Sequence, residues 1–239
     1  IRLIRFSIEY ENEIELNTLK AVKMSLDGIK KISKERILVE LYKILNLKNF
    51  MNLNESKDLK EIFTLIFPEF KNLRRLDRLI KICDYSQVSM NLLLAILLID
   101  DQDTHEYFSH KYNISNNIRD NLNSLAKNFK LIKENKSFFN KDLEKNIYFN
   151  NKNYLINLNI LNFVMNPSIK LKDFSEILSK ILKSKTHKLS IDGKYLIENG
   201  MKQGSLMGKV LKEIEIEWIK NDFKISKDRI KEIIQSHSN

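Results

Sequence analysis

Three observations predict an all-α fold. Only 5 Gly and 2 Pro occur in 239 residues, too few turn-forming residues for a sheet-rich chain of this length. Hydrophobic residues make up 43% of the chain, ample for a packed core and against disorder. Those residues recur at helical spacing, behind Ser, Asp and Asn residues that suit helix starts. A mass of 28.4 kDa allows one large domain or two to three small ones.

Taken in order, Asn17 is placed to cap a helix from Thr18 to about Asp27, with Gly28 ending it. Ser33 caps the next, where Ile37, Leu41 and Ile44 form one apolar stripe and Leu38, Tyr42 and Leu45 lie beside it. Helices are expected at about Glu55 to Ile66 and Lys71 to Cys83. Phe67-Pro68-Glu69-Phe70 separates them, because proline disfavours helix at the residue before it. Ser89 caps Met90 to Ile99, apolar all round and so the expected buried centre. Ser115 opens a helix with Ile118, Leu122 and Leu125 on one side. Residues 135–153 are polar, studded with aromatics and poorly periodic, which suits loops or short helices. Asn157 to Met165 is helical and stops before Pro167; Asp173 opens a helix to about Leu182. The basic stretch from Ser184 to Leu189 is a linker to a compact unit of three helices: Asp192 to Asn199, Ser205 to Lys220 and Ser226 to Ile234. No fixed repeat and no sustained heptad is present.

The net charge is +10 and the pI about 9.4. An excess of that size points to an anionic partner, with RNA, DNA and an acidic membrane as candidates; a Lys- and Asn-rich composition from an AT-rich genome is the plain alternative. The single cysteine, Cys83, precludes an internal disulfide and fits a reducing, cytoplasmic setting. The longest apolar run, Leu92 to Ile99, is too short to span a bilayer, and no signal peptide is visible. The chain starts at Ile1 in mid-pattern and reads as the downstream part of something longer.

Few constellations carry chemistry. Asp100-Asp101-Gln102-Asp103 contains the Asp-x-Asp pair of two-metal phosphoryl transfer. It follows an apolar helix with no nearby glycine, so a helix end followed by an Asp103 N-cap is favoured. His105 and His110 are five apart, wrong for two ligands on one helical face. No phosphate-binding Gly loop, nucleophile elbow or Cys-x-x-Cys is present, and no metal ligand or catalytic residue is assigned in this chain. Gly200-Met201-Lys202-Gln203-Gly204-Ser205-Leu206-Met207-Gly208-Lys209 holds three of the five glycines. Gly200 suits a C′ position. Gly204 and Ser205 then open a helix whose first amides, with Lys194, Lys202 and Lys209 around them and Gly208 leaving room, suit a nucleic-acid phosphate. A tight helix hairpin with small residues for packing is the competing reading. Arg2 and Arg5 share a helical face, and Ser33-Lys34-Glu35-Arg36 opens a helix with an acid in its first turn; either could meet one polyanion.

Together these segments resemble the class II tRNA nucleotidyltransferases, the CCA-adding enzymes and their bacterial poly(A) polymerase relatives. Ile1-Arg2-Leu3-Ile4-Arg5-Phe6-Ser7 looks like the Arg-x-x-Arg-Phe end of that family's neck motif. Ile32-Ser33-Lys34-Glu35-Arg36-Ile37-Leu38-Val39-Glu40-Leu41 looks like its next helix, and Asp192-Gly193-Lys194 with Gly200, Gly204 and Gly208 resembles its tail. The resemblance implies an elongated helical array: a neck over 1–54, a body over 55–184 and a tail over 185–239. It implies that the catalytic head, with its Mg2+-binding Asp-x-Asp, lies outside this chain. Arg2 and Arg5 would then lie on the nucleotide side, where CTP and ATP bind the head. Ser33, Glu35 and Arg36 would brace the neck. Lys194, Lys202, Gly204, Ser205, Gly208 and Lys209 would hold the acceptor arm of tRNA. Poly(A) addition to other RNA 3′ ends, or a non-enzymatic scaffold for RNA or an acidic protein, are the competing functions. Trp218, read as near the Gly-rich hairpin, would report RNA binding there.

Overall fold

The structure, a computed structural model, describes residues 1–12, 14–135 and 137–237. Among them there is no strand. The helices are α1 (Arg2–Glu9), α2 (Leu16–Met24), α3 (Lys34–Leu45), α4 (Lys57–Ile66), α5 (Leu76–Leu79), α6 (Met90–Leu98), α7 (Thr104–Tyr112), α8 (Asn116–Glu134), α9 (Leu143–Asn150), α10 (Lys152–Met165), α11 (Leu171–Lys183), α12 (Gly193–Glu198), α13 (Leu206–Lys220) and α14 (Lys227–Ser236). None is long and apolar enough to cross a membrane, among the described residues.

Helix starts follow the capping chemistry closely. The side chains of Ser33, Ser56, Ser89, Ser115, Asp192 and Ser226 each accept from the amide three residues on, each cap contributing about 1 kcal/mol. Two expected elements come out differently. The helix read from Thr18 to Asp27 is instead α2, with Glu15 rather than Asn17 at its N-cap, followed by a 3-10 segment, Leu26–Lys31, that runs through Gly28. The break comes at Ser25, whose hydroxyl turns back to donate to the Ala21 carbonyl at 2.8 Å. Residues 71–83 form not one helix but a 3-10 turn, Leu73–Arg75, and the short α5. The buried residues there, Leu73, Leu76 and Leu79, recur every third residue, which is the period of a 3-10 helix.

The chain forms two compact units. The first comprises Ile1–Lys136 and Ile156–Leu178; the second, Ser137–Leu155 and Ser179–Asn239. This division is by compactness, whereas neck, body and tail is a division by role. In the first unit α6 is the buried centre expected of it, with every residue from Leu92 to Ile99 buried and α7 and α8 packed against it. An aromatic chain fills the space beside it: Phe50, Phe63, Phe70, Phe108 and Tyr112 follow one another at ring-centroid distances of 4.8–5.8 Å. Two arginines close helix ends. Arg75 Nη1 donates to the Ile96 and Ile99 carbonyls at 2.7 Å each, at the end of α6. Arg78 reaches the end of α10, donating to the Phe163, Asn166 and Ile169 carbonyls with its guanidinium 4.3 Å over the Phe163 ring.

The second unit's core is Leu196, Met201, Val210, Ile214, Ile230, Ile233 and Ile234. The periods of Val210, Ile214 and Trp218 on α13 and of Ile230, Ile233 and Ile234 on α14 place these faces together. Outside the core, Arg229 clamps the Glu217 carboxylate with two bonds, at 2.7 and 3.0 Å.

Candidate nucleic-acid interface

In the first unit, α1 packs against α3 because Ile4 and Ile8 on one helix and Ile37, Leu41 and Ile44 on the other are buried. Flanking that seam is Glu40, on which three cations converge. Arg5 Nε lies 3.2 Å from Oε2, Lys43 Nζ 3.0 Å from Oε1 and Arg2 Nε 3.9 Å from Oε1. The hydrogen bond from Lys43, then the charges of Lys43 and Arg5, hold the Glu40 carboxyl below its ordinary pKa against the opposing effect of burial. Arg5 is further occupied by Glu9 at 3.6 Å and stacks its guanidinium 4.4 Å from the Phe6 ring centre.

Beside this cluster is a cleft of about 600 Å³, lined by Arg2, Arg36 and Lys43, by Glu35 and Glu40, and by Ile32 and Val39. Of the residues read from the sequence, Arg2, Glu35 and Arg36 therefore share one cleft. Arg5 stands behind it, while Ser33 caps α3 below it, accepting from the Arg36 amide at 3.4 Å. Glu35 and Arg36 are exposed and make no ion pair among the described residues. The residue missed is Glu40. Its signal was its position, between buried Ile37 and Leu41 in the same ten-residue segment, which sets it on the edge of the apolar stripe.

In the second unit, Gly200 has φ +95° and closes α12 in the C′ position expected for it. Its amide donates to the Ile197 carbonyl and the Met201 amide to that of Leu196, both at 3.0 Å. The Leu196 and Met201 side chains meet in the same core, completing a Schellman closure. The chain then reaches α13 with Ser205 at the N-cap and no side-chain cap bond. Gly204 and Gly208 are exposed, and nothing lies within 4 Å of where a Cβ would stand on either. Neither glycine is there to let this chain pack, so the packing reading of these two fails. Lys202 and Lys209 are exposed without an ion pair among the described residues, and Lys194 has only the distant Glu198 at 3.9 Å.

Trp218 is not near this hairpin. It lies at the other end of α13, thirteen residues from Ser205, or about 20 Å at the helical rise. It is buried against Tyr148 and Phe223.

In the acidic run, Asp100 and Asp103 have partners within the chain. Asp100 Oδ1 accepts from the Gln102 and Thr104 amides, and Oδ2 from the Thr104 hydroxyl at 2.7 Å. Asp100, not Asp103, thus supplies the cap of α7; Asp103 stands at the N-cap with φ +52° and no capping bond, 3.5 Å from Lys130. No group of three potential metal ligands occurs among the described residues.

Similarity to known proteins covers both regions of the chain. Residues 86–234 match the family model described as "tRNA nucleotidyltransferase domain 2 putative", a stretch that includes the Gly-rich hairpin. Residues 13–73 match one described as "Probable RNA and SrmB- binding site of polymerase A", a stretch that includes α3 and Glu40. A CCA-adding enzyme from Lactobacillus helveticus (strain DPC 4571) is 22% identical over 246 residues, an alignment covering 98% of this chain and 58% of that protein. The chain thus spans little more than half the length of this curated relative. No solved structure matches. With more than half of its residues inside the first of these family models, the chain belongs to the tRNA nucleotidyltransferase family.

Proposed function

We propose that this chain is the RNA-holding portion of a CCA-adding tRNA nucleotidyltransferase. It grips the acceptor arm by its A-form backbone while a head domain, outside this chain, transfers nucleotides. The observation that carries this reading is the start of α13: without a side-chain cap, open at Gly204 and Gly208, where no atom of the chain approaches, and flanked by the unpaired Lys202 and Lys209. A sugar–phosphate backbone is the partner that such a surface accommodates. Charge distribution supports it. The second unit carries 16 Lys and Arg against 10 Asp and Glu, the first unit 25 against 21 over twice the length.

In this reading residues 1–54 are the neck, 55–184 the body and 185–239 the tail. Arg2 lies on the nucleotide side, positioned with Arg5 through Glu40. Ser33, Glu35 and Arg36 shape the neck cleft, and Lys194, Lys202, Gly204, Ser205, Gly208 and Lys209 take RNA phosphates. The 3′-hydroxyl of tRNA attacks the α-phosphate of CTP or ATP and pyrophosphate leaves. The Mg2+ for that step belongs to the head, and the chain alone is inactive. The match of residues 13–73 to a polymerase A segment favours a second reading, addition of poly(A) to RNA 3′ ends. Incorporation of CTP by the whole protein excludes it.

Two measurements test the proposal. The chain is expected to bind tRNA more tightly than a DNA duplex of equal length, with an affinity that falls steeply as salt rises; equal binding to both refutes it. Gly208→Ala is expected to raise the stability of the chain, by up to about 1 kcal/mol because alanine is the better helix former. The same variant is expected to weaken tRNA binding several-fold, since a methyl group would stand where a phosphate approaches. A gain in stability with unchanged tRNA affinity removes Gly208 from the interface.

A further inference from the structure

Within the second unit lies a cleft of about 1080 Å³ that none of the sequence motifs indicated. It is formed where the turn before α9 and the start of α9 face the last turn of α11 and the loop after α13. Four lysines line it, Lys141 and Lys145 from one side and Lys180 and Lys183 from the other. Lys180 and Lys183, three apart on α11, share one helical face, while Lys141 lies in the turn before α9 and Lys145 within α9.

The carboxylates in the lining are already engaged. Asp142 accepts from the Ser137 hydroxyl, Glu144 meets His187 Nε2 at 2.6 Å and Asp222 meets Lys145 at 3.1 Å. Lys180 has only the neutral Asn140 side chain, at 2.8 Å. Lys141 and Lys183 are exposed and have no ion pair among the described residues. Three ammonium groups thus stand at one cleft without an ion pair among the described residues, and the lining's four lysines exceed its three carboxylates, a balance that suits an anionic ligand.

The wall is aromatic. Phe139 and Phe223 line the cleft. Phe223 is held by a backbone that two consecutive non-glycine residues bend into the left-handed region, Asp222 at φ +51° and Phe223 at φ +61°. Such strain persists only where the surroundings impose it. Here it seats the Phe223 ring flat on His187, 3.8 Å away and 7° from parallel, with Trp218 edge-on at 4.9 Å.

We infer that this cleft is a second RNA-binding site, which takes the phosphates of a short RNA segment on Lys141, Lys180 and Lys183, with its sugars and bases against the half-buried Phe223. Basic groups interleaved with aromatic faces are the chemistry that holds single-stranded RNA, whose unstacked bases can lie on a ring. The inference rests on the proposal that the chain holds RNA and adds a place for it apart from the Gly-rich hairpin.

The test compares the 239-residue chain with Lys180→Gln/Lys183→Gln and with Lys202→Gln/Lys209→Gln, all on side chains that reach solvent. Each is titrated with tRNA at several salt concentrations, and Trp218 fluorescence is read beside the cleft. For Lys180→Gln/Lys183→Gln the slope of log Kd against log salt is expected to fall by about 1.5, because two RNA phosphates are no longer neutralised. The Trp218 response to tRNA is expected to shrink in that variant and to survive in Lys202→Gln/Lys209→Gln. Unchanged slope and fluorescence in Lys180→Gln/Lys183→Gln, with weakening in the hairpin variant, overturn this inference and leave the proposed function standing. No tRNA binding by the unaltered chain overturns both. Polyglutamate of matching charge displacing tRNA from the cleft as well as RNA does would show a general anion surface, and would also overturn it.

Discussion

Arg78→Met is expected to destabilise the chain by about 3–4 kcal/mol, since hydrogen bonds to a charged donor contribute roughly 1.5–3 kcal/mol each and the acceptors left behind are poorly solvated. The guanidinium makes bonds of 3.0 and 2.8 Å to the Phe163 carbonyl, 3.3 Å to that of Asn166 and 3.0 Å to that of Ile169. The Phe163 carbonyl lies in the last turn of α10, where Pro167 has no N–H to offer it; that of Asn166 also accepts from the Ile169 amide at 3.1 Å. Methionine keeps much of the volume over the Phe163 ring and loses every donor. Arg78→Lys is expected to recover less than half of the loss, because an ammonium cannot present the planar fork that meets several carbonyls at once. Urea unfolding with a fixed m-value measures this; a loss below about 1 kcal/mol would mean that water satisfies these carbonyls equally well.

Acid is expected to weaken the fold well before carboxylates titrate. His105 is 2% exposed and its Nδ1 has no partner. Burial holds its pKa below 6.5, outweighing the pull of Glu106, Asp103 and Asp100 towards the charged form. An unfolded histidine takes a proton near pH 6.5, whereas the folded one refuses it until lower pH. The unfolded state therefore binds more protons across that window, and stability falls as pH drops from about 6.5, by up to about 1.4 kcal/mol per pH unit. The loss levels off once the folded imidazole also protonates. Glu40, with a lowered pKa, adds a separate loss in more acidic solution, where the unfolded carboxyl protonates first. His105→Leu removes the first of these declines and spares the second. Urea midpoints between pH 7.5 and 5 decide it; an unaltered chain with a flat profile there would show that His105 protonates in place without cost.

How much of this was legible in the sequence depended on whether the signal was local. The caps at Ser33, Ser89 and Ser115, the Gly200 closure and the buried α6 rest on residues within one turn of each other, and the spacing shows them. Residues 71–83 misled because a helix and a run of 3-10 turns differ little over a dozen residues; the three-residue period of Leu73, Leu76 and Leu79 was the available clue. Glu40 escaped notice because two of its three partners, Arg2 and Arg5, lie more than thirty residues away; Lys43, at i+3, reads as an ordinary surface pair. The lysine cleft was invisible for the same reason. Residues 139–145, 179–184 and 222–223 carry no shared periodicity, and the first group falls in a stretch whose polar, aromatic composition gave no pattern at all.

The discontinuity of the first unit has a consequence for how the chain comes to be folded. Arg78 is synthesised some 85 residues before the carbonyl of Phe163, and residues 156–178 are the last part of that unit to appear. A growing chain emerges at about 5–20 residues per second, so for several seconds the Arg78 side chain and the surface meant for α10 stand uncovered. The opening segment of the second unit, residues 137–155, emerges during that same interval, without the residues that complete its own unit. No single cut along the chain therefore yields two whole units: a fragment ending at residue 136 leaves Arg78 without any of its acceptors, and one beginning there inherits them with nothing to bind.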